Sequence, residues 1–172
     1  MKKRGQFYLI AAIIFAVIVM GIVAVSNYSI ITEPTNVQDL KNQIQIESAM
    51  TVDYGISNQL SQAEMYINLS DLAQQYINAE SGSKDLYFMF GTSGGSGNIT
   101  LKGYQKSDEN VYLDSNQVTS SSGGFLFSEV PSGNILNLTI NQTSYFFSLK
   151  DGENFYFLIS QAAGGEKDVA TG

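Results

Sequence analysis

Cysteine and histidine are both absent from this 172-residue chain. Without cysteine there are no disulfides, no thiolate nucleophile and no sulfur ligands for a metal. Without histidine the commonest general base, the commonest metal ligand and the usual near-neutral pH switch are gone together. Positive charge is scarce as well: beyond residue 32 there are six lysines against sixteen acids, a net of −10, compared with −7 for the whole chain. A surface that acidic repels phosphate backbones, which argues against nucleic acid as a partner. Nothing in the composition calls for a cofactor or a metal, so the informative features are apolar.

The first of these is FYLIAAIIFAVIVMGIVAV, Phe7 to Val25, nineteen residues without a charge. At about 1.5 Å per residue a helix of that length matches a hydrocarbon core ~30 Å thick. Twelve of its residues are Ile, Val, Leu or Phe, and at roughly −0.3 to −0.6 kcal/mol each they favour insertion by about 4 to 7 kcal/mol. Lys2, Lys3 and Arg4 precede the run, whereas the first charge after it is Glu33. Basic residues stay on the cytoplasmic side, so the expected topology is a single-pass span in the cell membrane, with the amino terminus inside and the rest extracellular.

Three fates of the amino terminus follow from the flanks. The segment can persist as an uncleaved signal anchor. Ala24 and Ser26 have the small-residue spacing of a signal peptidase site, which would release the chain at Asn27, although the apolar run exceeds the ~7 to 15 residues of a secretory signal. The third fate rests on the order of parts in MKKRG-QF: a basic tip, Gly5, Gln6, then an apolar helix that begins at once. That order resembles the class III signal of type IV pilins and archaeal pilin-like proteins, a likeness confined to about residues 1–30. The resemblance implies cleavage between Gly5 and Gln6 on the cytoplasmic side, retention of the apolar helix, and assembly with copies of itself or other pilin-like subunits. Many bacterial members carry Glu at the fifth residue after the cut, where this chain has Ile10.

Beyond the span, residues 26–35 read as a juxtamembrane linker, with Tyr28 at headgroup level. Thr35 and Gln38 form a capping-box pattern just after Pro34. Val37, Leu40 and Ile44, continued at four by Ile46, Met50 and Tyr54, predict an amphipathic helix over 36–54 whose apolar stripe faces inward, with Gly55 as its stop or kink. A second stripe at Met65, Leu69, Leu72 and Tyr76 predicts another helix ending near Glu80. From Leu86 the period changes to two, with short β-rich runs at 86–90, 99–104, 111–113 and 125–127. Leu136, Leu138 and Ile140 alternate with Asn137 and Thr139. Asn141-Gln142 turns this run into 143–150, and Asp151-Gly152, a favoured type I′ pair, turns that into 153–160. The expectation is an α+β chain with a basic tip at 1–6, a helical stalk at 36–80 and an antiparallel sheet over 84–160. That sheet ends in a three-strand meander, and 161–172 forms a disordered tail. Thirteen Phe and Tyr residues between Tyr87 and Phe157 are available to fill one sheet face.

Five Asn-x-Ser/Thr sequons, at Asn27, Asn68, Asn98, Asn137 and Asn141, lie on the outer side of the span and are glycosylation candidates. Gly91-Thr92-Ser93-Gly94-Gly95 spells the G-x-S-x-G nucleophile elbow, yet an elbow serine needs a histidine base and the chain has none. Ser81-Gly82-Ser83-Lys84 matches S-x-x-K without its partner motifs. The acids Asp108, Glu109, Asp114, Asp151 and Glu153 follow no calcium-loop pattern. The sequence therefore points to a non-enzymatic surface protein, pilin-like or another envelope component, partnered by the lipid bilayer. A membrane-tethered ligand-binding or adhesive module is the main alternative, and a hydrolase a distant one.

Overall fold

The computed structural model describes residues 36–93, 97–163 and 166–172. The span at Phe7–Val25, the tip with Lys2, Lys3 and Arg4, the Gly5-Gln6 bond and Asn27 lie outside the described residues. Among the described residues, no helix is long and apolar enough to cross a membrane.

Two helices come first, α1 (Val37–Ser57) and α2 (Gln62–Glu80). The cap of α1 is Asn36, whose side chain accepts from Gln38 N at 3.0 Å, one residue later than the Thr35 pattern suggests. Gly55 does not stop this helix, which runs on to Ser57. It lies buried in the last turn, where a Cβ would fall on the Met65 thioether of α2, so the glycine permits close helix contact. The reversal comes at Gln59, whose φ is +52°. Ser61 and Glu64 then form a reciprocal capping box, with Ser61 N donating to Glu64 Oε2 at 2.8 Å. That pairing supplies two otherwise orphaned amides with acceptors.

The strands that follow are β1 (Asp85–Ser93), β2 (Ile99–Gln105), β3 (Val111–Leu113), β4 (Asn116–Thr119), β5 (Gly123–Glu129), β6 (Ile135–Ile140), β7 (Thr143–Ser148), β8 (Gly152–Ala163) and β9 (Glu166–Thr171). The fold class is α+β, and the strands form two antiparallel sheets where the sequence suggested one. The first has the order β5-β2-β1-β8-β9, the second β4-β3-β6-β7.

Alternate residues of β1 serve two cores. Leu86, Phe88 and Phe90 pack with Phe157, Ile159 and the inward residues of both helices, among them Leu40, Ile44, Leu69 and Tyr76. Tyr87 and Met89 pack with Leu158, Leu101 and the inner face of the second sheet, including Leu113, Leu136, Leu138 and Phe147. The order of layers is helices, first sheet, second sheet. A strand covered on both faces reads as a continuous apolar run, which is what Leu86 to Phe90 and Phe155 to Ile159 are.

This explains where the meander fails. β6 and β7 do pair, through a turn in which Asn141 and Gln142 have φ of +46° and +71°. β8, however, leaves β7 and enters the first sheet between β1 and β9. At Asp151-Gly152 only Gly152 has positive φ, +95°, so no type I′ hairpin forms there. A run that is apolar on both sides gains most from a central position, whereas β7, with Phe146 exposed, suits an edge. The tail is likewise not disordered: β9 pairs with β8 from Leu158↔Thr171 to Ala163↔Glu166, and Ala170 is buried. Charged, sparsely apolar sequence is what an edge strand tolerates.

Ile46, Met50 and Tyr54 do not join the inward stripe. They are 61, 66 and 60% exposed, while Val37, Leu40, Ile44 and Ser48 are buried. Ile46 stands two residues from both Ile44 and Ser48, about 200° around the helix, and so lies on the other side. What reads as one stripe is two.

Candidate functional site

The motif serines and lysines have structural positions. Gly91, Thr92 and Ser93 close β1, and the next described element is the strand β2, whereas a nucleophile elbow leads from a strand into a helix. Gly91 has φ +140°, and a Cβ on it would strike the Asn98 carbonyl oxygen, which accounts for this glycine by backbone approach alone. Lys84 is fully buried, with Nζ donating to Glu80 Oε2 at 2.6 Å and to Ser83 Oγ at 3.2 Å. It is committed to an ion pair across the α2–β1 corner.

The acids are dispersed. Asp108 Oδ1 accepts from Ser122 N at 2.7 Å, and Glu109 pairs with Lys167 at 2.9 Å. Asp151 precedes β8 and is exposed, and Glu153 is half-buried within β8, where burial raises its pKa. Asp114, with φ +51°, accepts from the backbone N–H of Asn137 at 2.9 Å. Glu129 accepts from Asn116 Nδ2 at 2.7 Å, and burial followed by the neighbouring Asp114 raises its carboxyl above the ordinary range. No group of three or more metal-ligating side chains occurs among the described residues.

The sequons differ in access. Asn98 and Asn141 are exposed, before β2 and at the tip of the β6–β7 turn. Asn137 is half-buried within β6, its Oδ1 facing the Thr139 hydroxyl, and Asn68 is half-buried on α2. Asn68 belongs to the wall of a groove of about 530 Å³ between the helices, shared with Met50, Tyr54 and Asp71. A second groove, about 500 Å³, runs between α2 and the first sheet, past Tyr66, Ile67, Gly91 and Asn98.

The largest departure from the inward packing expected of the helices is the outer side of α1. Ile46, Met50 and Tyr54 form an apolar line facing solvent, with Met50 and Tyr54 also on the wall of the interhelical groove. Isolated exposed apolar residues are ordinary, but three at a spacing of four on one helix make a contiguous strip. The sequence displays these residues openly. Their sidedness is visible only once the buried stripe is fixed. No protein-family model, curated protein or solved structure matches the chain.

Proposed function

We propose that this chain is a non-enzymatic, single-pass membrane-anchored surface protein, a pilin-like subunit or related envelope component. In this reading residues 7–25 lie in the bilayer, Lys2, Lys3 and Arg4 mark the cytoplasmic side, and the domain from Asn36 onward is extracytoplasmic. The observation that carries it is the outward strip Ile46, Met50, Tyr54 on α1, the helix that begins right after the N-terminal segment.

Anchoring supplies the partner for that strip. Copies inserted by the same span are confined to one plane with the same side of the membrane facing out, which raises the effective concentration at which equivalent strips meet. The occupant is therefore a second copy of this chain. Burying three large apolar side chains on each copy at about 25 cal/mol per Å² is a modest gain that two-dimensional confinement makes sufficient.

Absence of native cysteine makes the test clean. Met50→Cys in the full-length protein in its membrane is expected to give a disulfide-linked dimer on mild oxidation, while Asp168→Cys, exposed on β9, stays monomeric. Monomer only from both variants, or equal cross-linking of both, overturns the lateral contact.

A further inference from the structure

A row of strand positions at one end of the first sheet carries polar residues into the layer between the sheets. Asp85 on β1 pairs with Ser160 on β8, and Ser160 with Val169 on β9. Gln105, the last residue of β2, lies one step beyond the Leu86↔Tyr104 pair and so stands beside Asp85 in the same row. Ser160 is 1% exposed and Gln105 fully buried. Ser160 Oγ, Gln105 Oε1 and, two positions along β1, the Tyr87 hydroxyl have no hydrogen-bond partner. The other end of the Gln105 amide is satisfied, donating to Glu109 O at 2.9 Å and Ser121 O at 2.8 Å. Buried polar atoms are almost always paired, and of these three residues Ser160 also lines a cleft, which marks its hydroxyl as available to a partner there.

Ser160 and Asp85 line a cleft of about 310 Å³, closed on its rim by Lys106, Glu109, Ala162 and Lys167. The rim has both signs of charge, and one lysine and one glutamate of it are paired. Lys167 Nζ is 2.9 Å from Glu109 Oε2, and Asp85 Oδ1 accepts from the Lys106 backbone N–H at 2.7 Å. A charged ligand would have to compete with those contacts. The unpaired group lining the cleft is neutral, the Ser160 hydroxyl, which donates or accepts. It matches a ligand hydroxyl, which also does both, and the volume lies at the small end of the ~300 to 1,000 Å³ range of ligand sites.

We propose that this cleft binds a small neutral polyhydroxylated molecule, a monosaccharide or polyol. One of its hydroxyls sits on Ser160 Oγ, in the row that also holds Gln105 Oε1, and its C–H surface lies along Ala162. The site is independent of the α1 strip, which is on the opposite side of the first sheet, and its test is independent of assembly.

The experiment is ligand-observed saturation-transfer NMR on the full-length protein in a detergent without a sugar headgroup. The probes are glycerol, glucose, galactose and N-acetylglucosamine, with glycine as a charged comparison. At least one hydroxylated probe is expected to receive transfer from the parent protein and to bind tenfold or more weakly to Ser160→Val, which removes the hydroxyl and has the same shape as Ser160→Thr. Ser160→Thr, which keeps it, retains binding. Ala162→Tyr fills the cleft from its exposed rim and is expected to abolish the signal without touching the buried row. No transfer from any hydroxylated probe, transfer undiminished in both Ser160→Val and Ala162→Tyr, or transfer from glycine alone overturns the proposal.

Discussion

The Lys84 ammonium lies 2.6 Å from the Glu80 carboxylate, with the lysine side chain fully buried and the glutamate 15% exposed. This pair locks the end of α2 to the start of β1, and the two charges depend on each other. Glu80→Ala strands a buried ammonium and is expected to lower unfolding free energy by about 3 kcal/mol, the lower end of the cost of breaking a buried pair from one side. Lys84→Met combined with Glu80→Gln removes both charges and is expected to recover most of that loss. Urea unfolding of the two variants, compared at equal slope, checks the ordering.

Strand β6 provides a test of the second core. Leu138 is fully buried between the sheets, and Ile135 on the same strand is 61% exposed on the other face. Leu138→Asp buries a charge without a partner and is expected to unfold the domain, whereas Ile135→Asp leaves its melting temperature within a few degrees of the parent. Thermal melts by circular dichroism distinguish the two.

Glu129 sets a pH dependence. Burial, and then the nearby Asp114, raises its pKa above the ordinary 4.5. The folded state therefore binds this proton more readily than the unfolded chain. Its contribution to stability is fully present below pH 4.5 and is lost as pH rises through the raised folded value. Glu129→Gln keeps an acceptor for Asn116 and adds a donor toward Asp114. The variant is expected to be more stable than the parent at pH 7, with the advantage shrinking as pH falls toward 4.5. Denaturant midpoints across that interval measure the difference.

Sequon access predicts a pattern of modification in a host that glycosylates surface proteins. Occupancy is expected at the exposed Asn98 and Asn141 and to be low at the half-buried Asn68 and Asn137. Glycopeptide mapping by mass spectrometry reads all four sites in one digest.

Much of the framework is visible in the residues, because local periodicity was enough to define it. The stripe Met65, Leu69, Leu72, Tyr76 is the buried side of α2, and the alternation Leu136, Leu138, Ile140 is the buried side of β6. What periodicity does not carry is long-range partnership. The apolar run Phe155 to Ile159 says that β8 is covered on both faces, but not that its neighbours are β1, some seventy positions earlier, and the polar strand β9. A step of four from Ile46 to Tyr54 says that these residues share a side, without saying which side. The cleft row, Gln105, Asp85 and Ser160, exists only through strand register, so no sequence motif announces it.

The most direct test of the membrane-anchored, pilin-like account is the intact mass of the protein extracted from its native membrane. Removal of the basic tip frees the apolar helix from three charges that oppose leaving the bilayer at about +2.5 to +3.5 kcal/mol each. The account predicts a chain beginning at Gln6, with residues 7–25 retained. A chain beginning at Asn27 would show that the apolar run is an ordinary secretory signal and would contradict it.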